Sequence, residues 1–444
     1  MTTSSTQRRE FLKAAGGSAL ALAGAQAMSS PARGEAPERS RRPNIVIMLA
    51  DDLGYGDCAC YGNEHIKTPH LDRMAVEGLR FTDFYVTSPL CTPTRAGLLT
   101  GRQPERVGLN YLVSAGRTFN DGLNLKETTL ADVLKGAGYA TGIIGKWHLG
   151  YLEKFWPNKR GFDDFWGTLA GNSDFFTHRY KTGEKYMYRN DRAINPIGYM
   201  TDLITEEALK FIERHRAEPF FLYVPYTAVH SPYQATDEYL SRYPNFEGRQ
   251  QAFYAMTSAM DDSVGAILGK LEELGLDEDT FTFFFSDNGG VLGVSDNGPL
   301  RGGKGSIWEG GLREPGIGRW PGRIPSGRTT AELASSLDLF PTVCAVAGVR
   351  PPDVVLDGAN IVPLLEGNSG SPHEALHWCW RDEYVMRQGK WKLTRYKDGH
   401  FALYDLEADI GETTDLAQTN RDTVEKLRPA LQHFRDTIHE GRPE

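Results

Sequence analysis

The stretch Asn44–Asp52, NIVIMLADD, places six consecutive apolar residues between an asparagine and two adjacent aspartates. A continuous apolar run of this length predicts a strand that is buried on both faces, as in a parallel sheet. Two neighbouring carboxylates at the end of such a strand repel each other unless a cation or a proton lies between them. The stretch therefore predicts an α/β fold with a site at the end of its first strand.

Three further apolar runs also end in polar side chains. They are Tyr139–Gly150, Pro219–Tyr233 and Thr280–Gly290, and their polar ends are Lys146 with His148, His230, and Asp287 with Asn288. Lys146 and His148 are two residues apart, so an extended chain would place them on the same side. Each ending alone is typical of a turn, a helix cap or a surface strand end. Their joint occurrence favours a site, because ligands bind at the carboxyl ends of parallel strands.

The oxygen atoms at these strand ends suit a hard divalent cation. Carboxylate and amide oxygens are the ligands that calcium and magnesium prefer, and flexible coordination by several carboxylates favours calcium. They come from Asp51, Asp52, Asp287 and Asn288. We expect one calcium ion at this edge of the sheet, with magnesium as the alternative.

The bulk composition is that of a globular protein. The chain has 444 residues, of which 40% are hydrophobic, and a net charge of −9, which argues against nucleic acid as a partner. Alternating strand and helix patterns predict a large mixed sheet flanked by helices over residues 42–365. Residues 366–444 alternate apolar and polar positions before a helical repeat, which predicts a smaller antiparallel-sheet subdomain with a terminal helix.

The N-terminus is typical of an export signal. Residues 1–27 carry paired Arg8 and Arg9, a short Ala/Gly-rich apolar run and an Ala25-Gln26-Ala27 cleavage pattern. Twin arginines indicate the Tat export machinery as a partner and a periplasmic or secreted location. The apolar run is too short to favour a membrane anchor, so we expect no integral membrane protein, and residues 28–41 are predicted to be a linker.

Cys91 lies in the segment Cys91–Arg102, CTPTRAGLLTGR. The chain has five cysteines and no C-x-x-C pair, which makes a structural zinc site or a disulfide framework improbable. Cys91 has no obvious disulfide partner, and composition alone leaves open whether it is a core thiol, a metal ligand or a reactive group.

Five blocks, in this order, carry a resemblance to a known family: PNIVIMLADDLGYGD, CTPTRAGLLTGR, GKWHLG, SDNGG and LRGGKGSIWEGGLREP. The chain resembles the formylglycine-dependent type I sulfatases of the alkaline-phosphatase-like superfamily, over most of its length from Pro43 onward. Within that family it looks most like N-acetylgalactosamine-6-sulfatases and bacterial arylsulfatases. The Gly-rich block lacks the spacing of a nucleotide-binding P-loop, and is coherent as a loop that brings Lys304 to an anion.

The resemblance implies that a separate maturation enzyme oxidises Cys91 to formylglycine, because CTPTR fits the family's C-x-[PA]-x-R pattern. One oxygen of the hydrated aldehyde would attack sulfur, and the second would expel sulfate. The implied cation ligands are Asp51, Asp52, Cys91, Asp287 and Asn288. The other implied catalytic residues are Arg95, Lys146, His148, His230 and Lys304. Lys146 and Lys304 would hold sulfate, His148 would act as base, and His230 would protonate the leaving oxygen.

The implied substrate is a sulfated carbohydrate, from a polysaccharide or a glycosaminoglycan. Ser173, His178 and Arg179 are candidate substrate-binding residues in a loop that we expect to set specificity. Two alternatives stay open at this point: a phosphate or phosphonate ester hydrolase of the same superfamily, and a non-catalytic carbohydrate-binding protein. The intact set of candidate catalytic residues argues against the second.

Overall fold

The computed structural model describes residues 42–442, which form one compact unit. Its large sheet comprises β1 Asn44–Ala50, β2 Leu79–Tyr85, β3 Ala140–Lys146, β4 Asp164–Thr168, β5 Met187–Arg189, β6 Arg192–Ala193, β7 Phe220–Pro225, β8 Thr280–Ser286, β9 Arg313–Arg319, β10 Arg328–Thr330 and β11 Ala334–Ser335. The strand order is β10-β2-β9-β8-β1-β7-β3-β4-β5-β6, with β11 beside β2. Strands β8, β1, β7, β3 and β4 run parallel, and β9 is antiparallel to both of its neighbours. The predicted mixed sheet is confirmed.

Strand β1 is buried on both faces, as its apolar run predicts. Val46 and Met48 belong to the apolar core on one side of the sheet, and Ile45 and Ile47 belong to the core on the other side. This alternation is the period of two that a strand imposes on its side chains. The strand therefore needs apolar residues at every position.

Helices cover both faces of this sheet. They are α1 Pro69–Val76, α2 Cys91–Thr100, α3 Pro104–Val107, α4 Leu130–Gly136, α5 Met200–His215, α6 Asp237–Leu240, α7 Gly248–Glu273, α8 Glu309–Leu312, α9 Leu339–Val346 and α10 Val362–Leu365. Helices α5 and α7 supply many of the side chains in the core that contains Val46, whereas α2, α4 and α9 contribute to the other core.

A second sheet follows α10. Its strands β12 Leu376–Trp380, β13 Glu383–Gln388, β14 Trp391–Arg395 and β15 Phe401–Asp405 form an antiparallel meander. Gly389 and Gly399, with φ of 55° and 92°, sit in two of its turns, where glycine adopts the left-handed conformation without strain. Helix α11, Arg421–Thr437, buries Val424, Leu427 and Leu431 against this sheet. The predicted small subdomain and terminal helix are confirmed, and the boundary at 365/366 stays a prediction.

The predicted Tat-like signal at 1–27 and linker at 28–41 lie outside the described residues. Within residues 42–442, none of the helices combines the length and the apolar character that crossing a bilayer requires.

Candidate active site

The ends of β1 and β8 bring four polar residues together. Ala50 pairs with Ser286 in the parallel register, and the Asp287 backbone N–H donates to the Ala50 carbonyl at 3.1 Å. The backbone therefore turns so that Asp52 donates its N–H to Asp287 Oδ1 at 3.3 Å, and Asn288 Nδ2 donates to Asp52 Oδ1 at 2.9 Å. The register of two neighbouring strands thus explains why these residues converge.

This cluster has the properties of a cation site. Asp51 Oδ1 and Asn288 Oδ1 are buried and accept no hydrogen bond from the described residues. Burial raises the pKa of Asp51 to about 8, and the neighbouring carboxylates of Asp287 and Asp52 add to the rise, although Lys146 opposes it. Buried acceptors without donors and crowded carboxylates are both stabilised by a divalent cation. An all-oxygen set of this kind fits calcium or magnesium.

Cys91 is the first residue of helix α2, at the edge of this cluster. Oxygens of Asp51 and Asp287 and the Cys91 Sγ all lie within 4.8 Å of one another. The N-terminus of a helix carries unpaired N–H groups and partial positive charge, which favours an anion at this position. Pro93 fits the first helical turn, because its missing N–H would have no helical acceptor there. The segment CTPTR therefore places residue 91 at a helix N-terminus, although burial, with Asp287 and Asp51, raises the pKa of the Cys91 thiol against the opposing effect of Lys146 and Lys304.

Arg95 lies one helical turn after Cys91 and is fully buried. Its Nε and Nη2 donate to Asp287 Oδ2 at 3.0 and 2.6 Å, and its Nη1 donates to the Lys146 carbonyl at 3.2 Å. The charge of Arg95 offsets part of the repulsion among the carboxylates, and its fork geometry fixes the orientation of Asp287.

Two lysines face the two aspartates. Lys146 Nζ lies 2.6 Å from Asp51 Oδ2, and Lys304 Nζ contacts Asp52 Oδ1. Burial would raise the pKa of Asp52, but Lys304 and His230 hold it below its ordinary value. Each lysine thus lies beside the proposed cation ligands. In addition to its aspartate, it can bind an anionic group of a substrate there.

His148 lies beyond β3 rather than on an extended strand. The strand ends at Lys146, and His148 has a φ of 58°, so the expectation of an extended chain from Lys146 to His148 is wrong. The turn directs the ring so that Nε2 donates to the Val113 carbonyl at 2.8 Å, which leaves Nδ1 buried without a partner among the described residues. Burial lowers the pKa of His148 well below its ordinary value, and Lys146 and Arg95 lower it further. The imidazole is therefore neutral, with a free base at Nδ1.

His230 follows β7 and has the other ring tautomer. Its Nδ1 donates to the Ser231 carbonyl at 2.6 Å, and its Nε2 lies 3.6 Å from Asp52 Oδ2. Burial lowers the pKa of His230 to about 4, although Asp52 opposes the change. Because Nδ1 holds a proton in its backbone contact, Nε2 is the atom that can exchange one within the site.

A cavity of about 590 Å³, the loop cavity, is lined by residues of the segment 172–183 together with Ser231 and Pro232. Ser173 and Arg179 contribute to its walls, as expected for substrate-binding residues. His178 is buried, with 2% exposure, and does not line this cavity. Gly171 packs against the His148 ring so closely that a Cβ would lie 2.3 Å from Nε2. The lining segments of the loop cavity therefore begin next to Gly171, which packs against His148, and next to His230.

Sequence reasoning did not identify two residues that hold His148 in place. Thr92 Oγ1 donates to the His148 carbonyl at 3.1 Å and accepts the Val113 N–H at 3.3 Å, so one hydroxyl joins the helix, the histidine and the loop. Val113 acts through its backbone carbonyl, which no side-chain pattern can indicate. Thr92 lies within CTPTR, and its position beside Cys91 was the only feature of the sequence that could have indicated its role.

The fold and the site together define a hydrolase with the alkaline-phosphatase-like fold. The features that do so are the mixed sheet, the acidic strand ends and the positively charged side chains of Arg95, Lys146 and Lys304 around them. Comparison with known families identifies the kind of hydrolase. A family model described as Sulfatase matches residues 43–349, and one described as N-sulphoglucosamine sulphohydrolase, C-terminal, matches residues 303–437. The chain belongs to the sulfatase family, and it is an enzyme that hydrolyses sulfate esters. Members of this family generally use formylglycine and a divalent metal.

The relatives agree with this assignment over most of the chain. An N-acetylgalactosamine-6-sulfatase from Canis lupus familiaris is 34% identical and aligns with 90% of this chain and 87% of its own length. Arylsulfatase A from Homo sapiens is 38% identical, over 85% of this chain and 84% of its own length. The crystal structure of Ps i-CgsB in complex with k-i-k-neocarrahexaose has a TM-score of 0.83 and 32% identity, and covers 91% of this chain and 94% of its own.

Proposed function

We propose that this sulfatase removes sulfate from a sulfated carbohydrate, using formylglycine made from Cys91 and a calcium ion held by Asp51, Asp52, Asp287 and Asn288. The observation that carries the proposal is the convergence of these four residues beside a helix that begins at Cys91, with one oxygen of Asp51 and one of Asn288 accepting no hydrogen bond among the described residues. Cys91 is a cysteine in the structure, so its Sγ stands for one oxygen of the hydrated aldehyde.

Formylglycine would supply a nucleophilic oxygen and a second hydroxyl whose deprotonation releases sulfate, and calcium would supply charge neutralisation. Lys146 and Lys304 bind the sulfate oxygens, since both ammonium groups face the cluster next to residue 91. Their charge, with that of the α2 N-terminus, opposes the negative charge that grows as the sulfur–oxygen bond breaks. Arg95 keeps Asp287 aligned throughout.

The two histidines divide the proton transfers. His148 accepts the proton of the second hydroxyl at Nδ1, the nitrogen that its Val113 contact leaves free. His230 delivers a proton from Nε2 to the departing sugar oxygen, and the negative sulfate ester beside it favours the protonated ring. The opposite tautomers of the two rings support this division of roles.

The carbohydrate part of the proposal is supported by the relatives and by the loop cavity. One relative is named as an N-acetylgalactosamine-6-sulfatase, and the Ps i-CgsB structure contains an oligosaccharide. The loop cavity of about 590 Å³ is lined in part by Ser231 and Pro232, which directly follow His230, and the leaving sugar would lie there. Ser173 and Arg179 are positioned to bind that sugar's hydroxyl groups.

Hydrolysis of paired aryl esters tests the reaction. The calcium-loaded protein is expected to hydrolyse an aryl sulfate faster than the matching aryl phosphate, because one cation and two lysines suit a monoanion better than a dianion. Chelation should remove the activity, and Cys91→Ala should lower kcat by about a thousandfold or more. Cys60→Ser, at a half-buried cysteine outside the cluster, is the matched control and should retain activity. Faster phosphate turnover, or an active Cys91→Ala variant, would contradict the proposal.

We further propose that residues 1–27 direct Tat-dependent export, so the enzyme works in the periplasm or outside the cell. The paired arginines Arg8 and Arg9 before a short apolar run support this. Replacing both by lysine should retain the protein in the cytoplasm, as measured by cell fractionation. Unchanged export would refute it.

A further inference from the structure

A second cavity of about 420 Å³ lies where the Lys304 loop meets the small sheet. We call it the subdomain cavity. The following residues line it: Gly305, Ser306, Trp308, Trp380, Arg381 and Lys397, with Ile307, Glu383 and Tyr396 completing the walls. No role in the reaction proposed above uses any of them.

The Lys304 loop connects the subdomain cavity to the active site. Gly305 follows Lys304 directly, and its N–H donates to the Pro89 carbonyl at 2.9 Å, two residues before Cys91. Lys304 and His230 contact the two different oxygens of the Asp52 carboxylate. Residues next to His230 line the loop cavity, and residues next to Lys304 line the subdomain cavity. A substrate whose sulfate lies beside Lys304 and His230 could therefore reach residues of either cavity.

The walls of the subdomain cavity combine aromatic rings with cations. Trp308 and Tyr396 have ring centroids 6.4 Å apart, and Trp380 adds a third ring. Trp380 Nε1 is a buried donor without an acceptor among the described residues. Pockets that bind neutral ring faces through aromatic side chains, and fix them with a few polar groups, have this composition.

Two exposed cations, Arg381 and Lys397, line the mouth of the cavity, and Glu383 is the one carboxylate among the lining residues. Lys397 Nζ lies 3.9 Å from the Asp382 carboxylate, so Arg381 is the cation with more freedom to meet a ligand. The Arg381 guanidinium lies 5.1 Å from the centroid of the Trp380 ring, so the cation is held at the aromatic wall. The mouth therefore suits an anionic group.

The backbone at Arg381 points to the same use. Arg381 and Asp382, with φ of 52° and 66°, form the two-residue turn between the paired residues Trp380 and Glu383. Such turns favour asparagine and glycine, because a left-handed conformation is strained for other residues. The arginine side chain is not needed to form the turn. Its position over Trp380 is therefore consistent with a role in binding a ligand.

We propose that the subdomain cavity binds the sugar next to the one that loses its sulfate. That sugar's ring lies against the aromatic wall, and its sulfate or carboxylate group meets Arg381 and Lys397. The proposal rests on the proposed function, and it makes the preferred substrate an anionic oligosaccharide rather than a monosaccharide.

Binding to the calcium-loaded Cys91→Ala protein, measured by calorimetry, tests this independently of turnover. The probes are N-acetylgalactosamine 6-sulfate and sulfated disaccharides whose second sugar carries a sulfate, a carboxylate or no charge. We expect at least one of the two anionic disaccharides to bind about tenfold or more tightly than the monosaccharide. Arg381→Asn should remove that gain, and it preserves the turn because asparagine accepts positive φ. The disaccharide that shows the gain identifies the anionic group.

Arg323→Asn is the matched control, because Arg323 is also exposed and lies 5.5 Å from a tryptophan ring centroid, that of Trp320, away from the site. It should keep the full gain. The proposal is overturned if neither anionic disaccharide binds more tightly than the monosaccharide, or if Arg381→Asn keeps the gain. An aryl sulfate that the wild-type enzyme leaves intact would instead contradict the proposed function, so the two failures are distinguishable.

Discussion

At the scale of single residues, His148 shows how a local departure from regular structure positions the ring that we propose as the base. Its left-handed backbone brings Nε2 to the Val113 carbonyl and leaves Nδ1 free. A histidine on a continuing strand would have no such fixed tautomer. The pairing with a backbone carbonyl is therefore what defines this ring as a base.

His148→Gln tests this role through the pH profile. Burial and the cations Lys146 and Arg95 lower the pKa of His148 below 6.5, so the ring stays neutral and basic at pH values where an ordinary histidine is protonated. The wild-type kcat should therefore persist below pH 6.5, and the variant should lose about a hundredfold to ten-thousandfold in kcat. A variant with near wild-type kcat across the profile would show that Nδ1 is not the base.

At the scale of elements, the small sheet holds the loop that carries Lys304. Lys392 of β14 is buried, and its Nζ lies 2.9 Å from Glu309 Oε1 and 2.8 Å from Glu412 Oε1. Glu309 begins α8, directly after the Lys304 loop, and its N–H donates to Glu412 Oε2 at 2.7 Å. Lys392 thus connects the sheet to the catalytic loop.

Lys392→Met should both destabilise the protein and raise KM for sulfate esters. Removing Lys392 leaves the buried Glu412 carboxylate without its ion-pair partner, whereas Glu309 keeps Arg313 and Arg387. Breaking a buried ion pair in this way costs about 3–5 kcal/mol. The matched control is Lys390→Met, since Lys390 pairs with Asp405 at a more exposed position in the same hairpin. Thermal unfolding and steady-state kinetics provide the two readouts. Equal effects of both substitutions would contradict the role of Lys392.

Sequence patterns predicted the elements better than their contacts. The run NIVIMLADD predicts β1 because six consecutive apolar residues suit a strand that is buried on both faces. Its paired carboxylates indicate a site only together with the polar ends of the other strands. By contrast, Lys392 occupies an alternating strand position that is typical of a solvent-facing side chain, and it is buried because another segment covers that face. The turn at His148 and the burial of His178 also depend on contacts with distant segments, which periodicity does not encode.

At the scale of the whole molecule, the carboxylate cluster couples stability to calcium. Burial and the neighbouring Asp287 and Asp52 raise the pKa of Asp51 from 3.8 to about 8 in the protein without a cation. A raised folded-state pKa contributes stability below the unfolded value, which is lost as pH rises through the folded value. Asp51 should therefore contribute stability to the calcium-free protein that is lost between about pH 4 and pH 8.

Calcium should offset that loss, because an ion that binds the folded state at a hundred times its Kd adds about 2.7 kcal/mol. The rise in Tm on adding calcium is expected to be larger at pH 8 than at pH 5, as measured by scanning calorimetry. Asp52→Asn should reduce the rise, and Asp436→Asn, at an exposed position on α11, should not. A calcium response that is independent of pH, or equal in both variants, would contradict the assignment of the cluster.

The central claim is that the residue which performs the chemistry is made from Cys91 after translation. Mass spectrometry of the tryptic peptide Phe81–Arg95 tests it most directly. In enzyme that hydrolyses an aryl sulfate, the account predicts a peptide in which an aldehyde replaces the thiol-bearing group of Cys91. An active enzyme in which this peptide carries only an unmodified cysteine would contradict it.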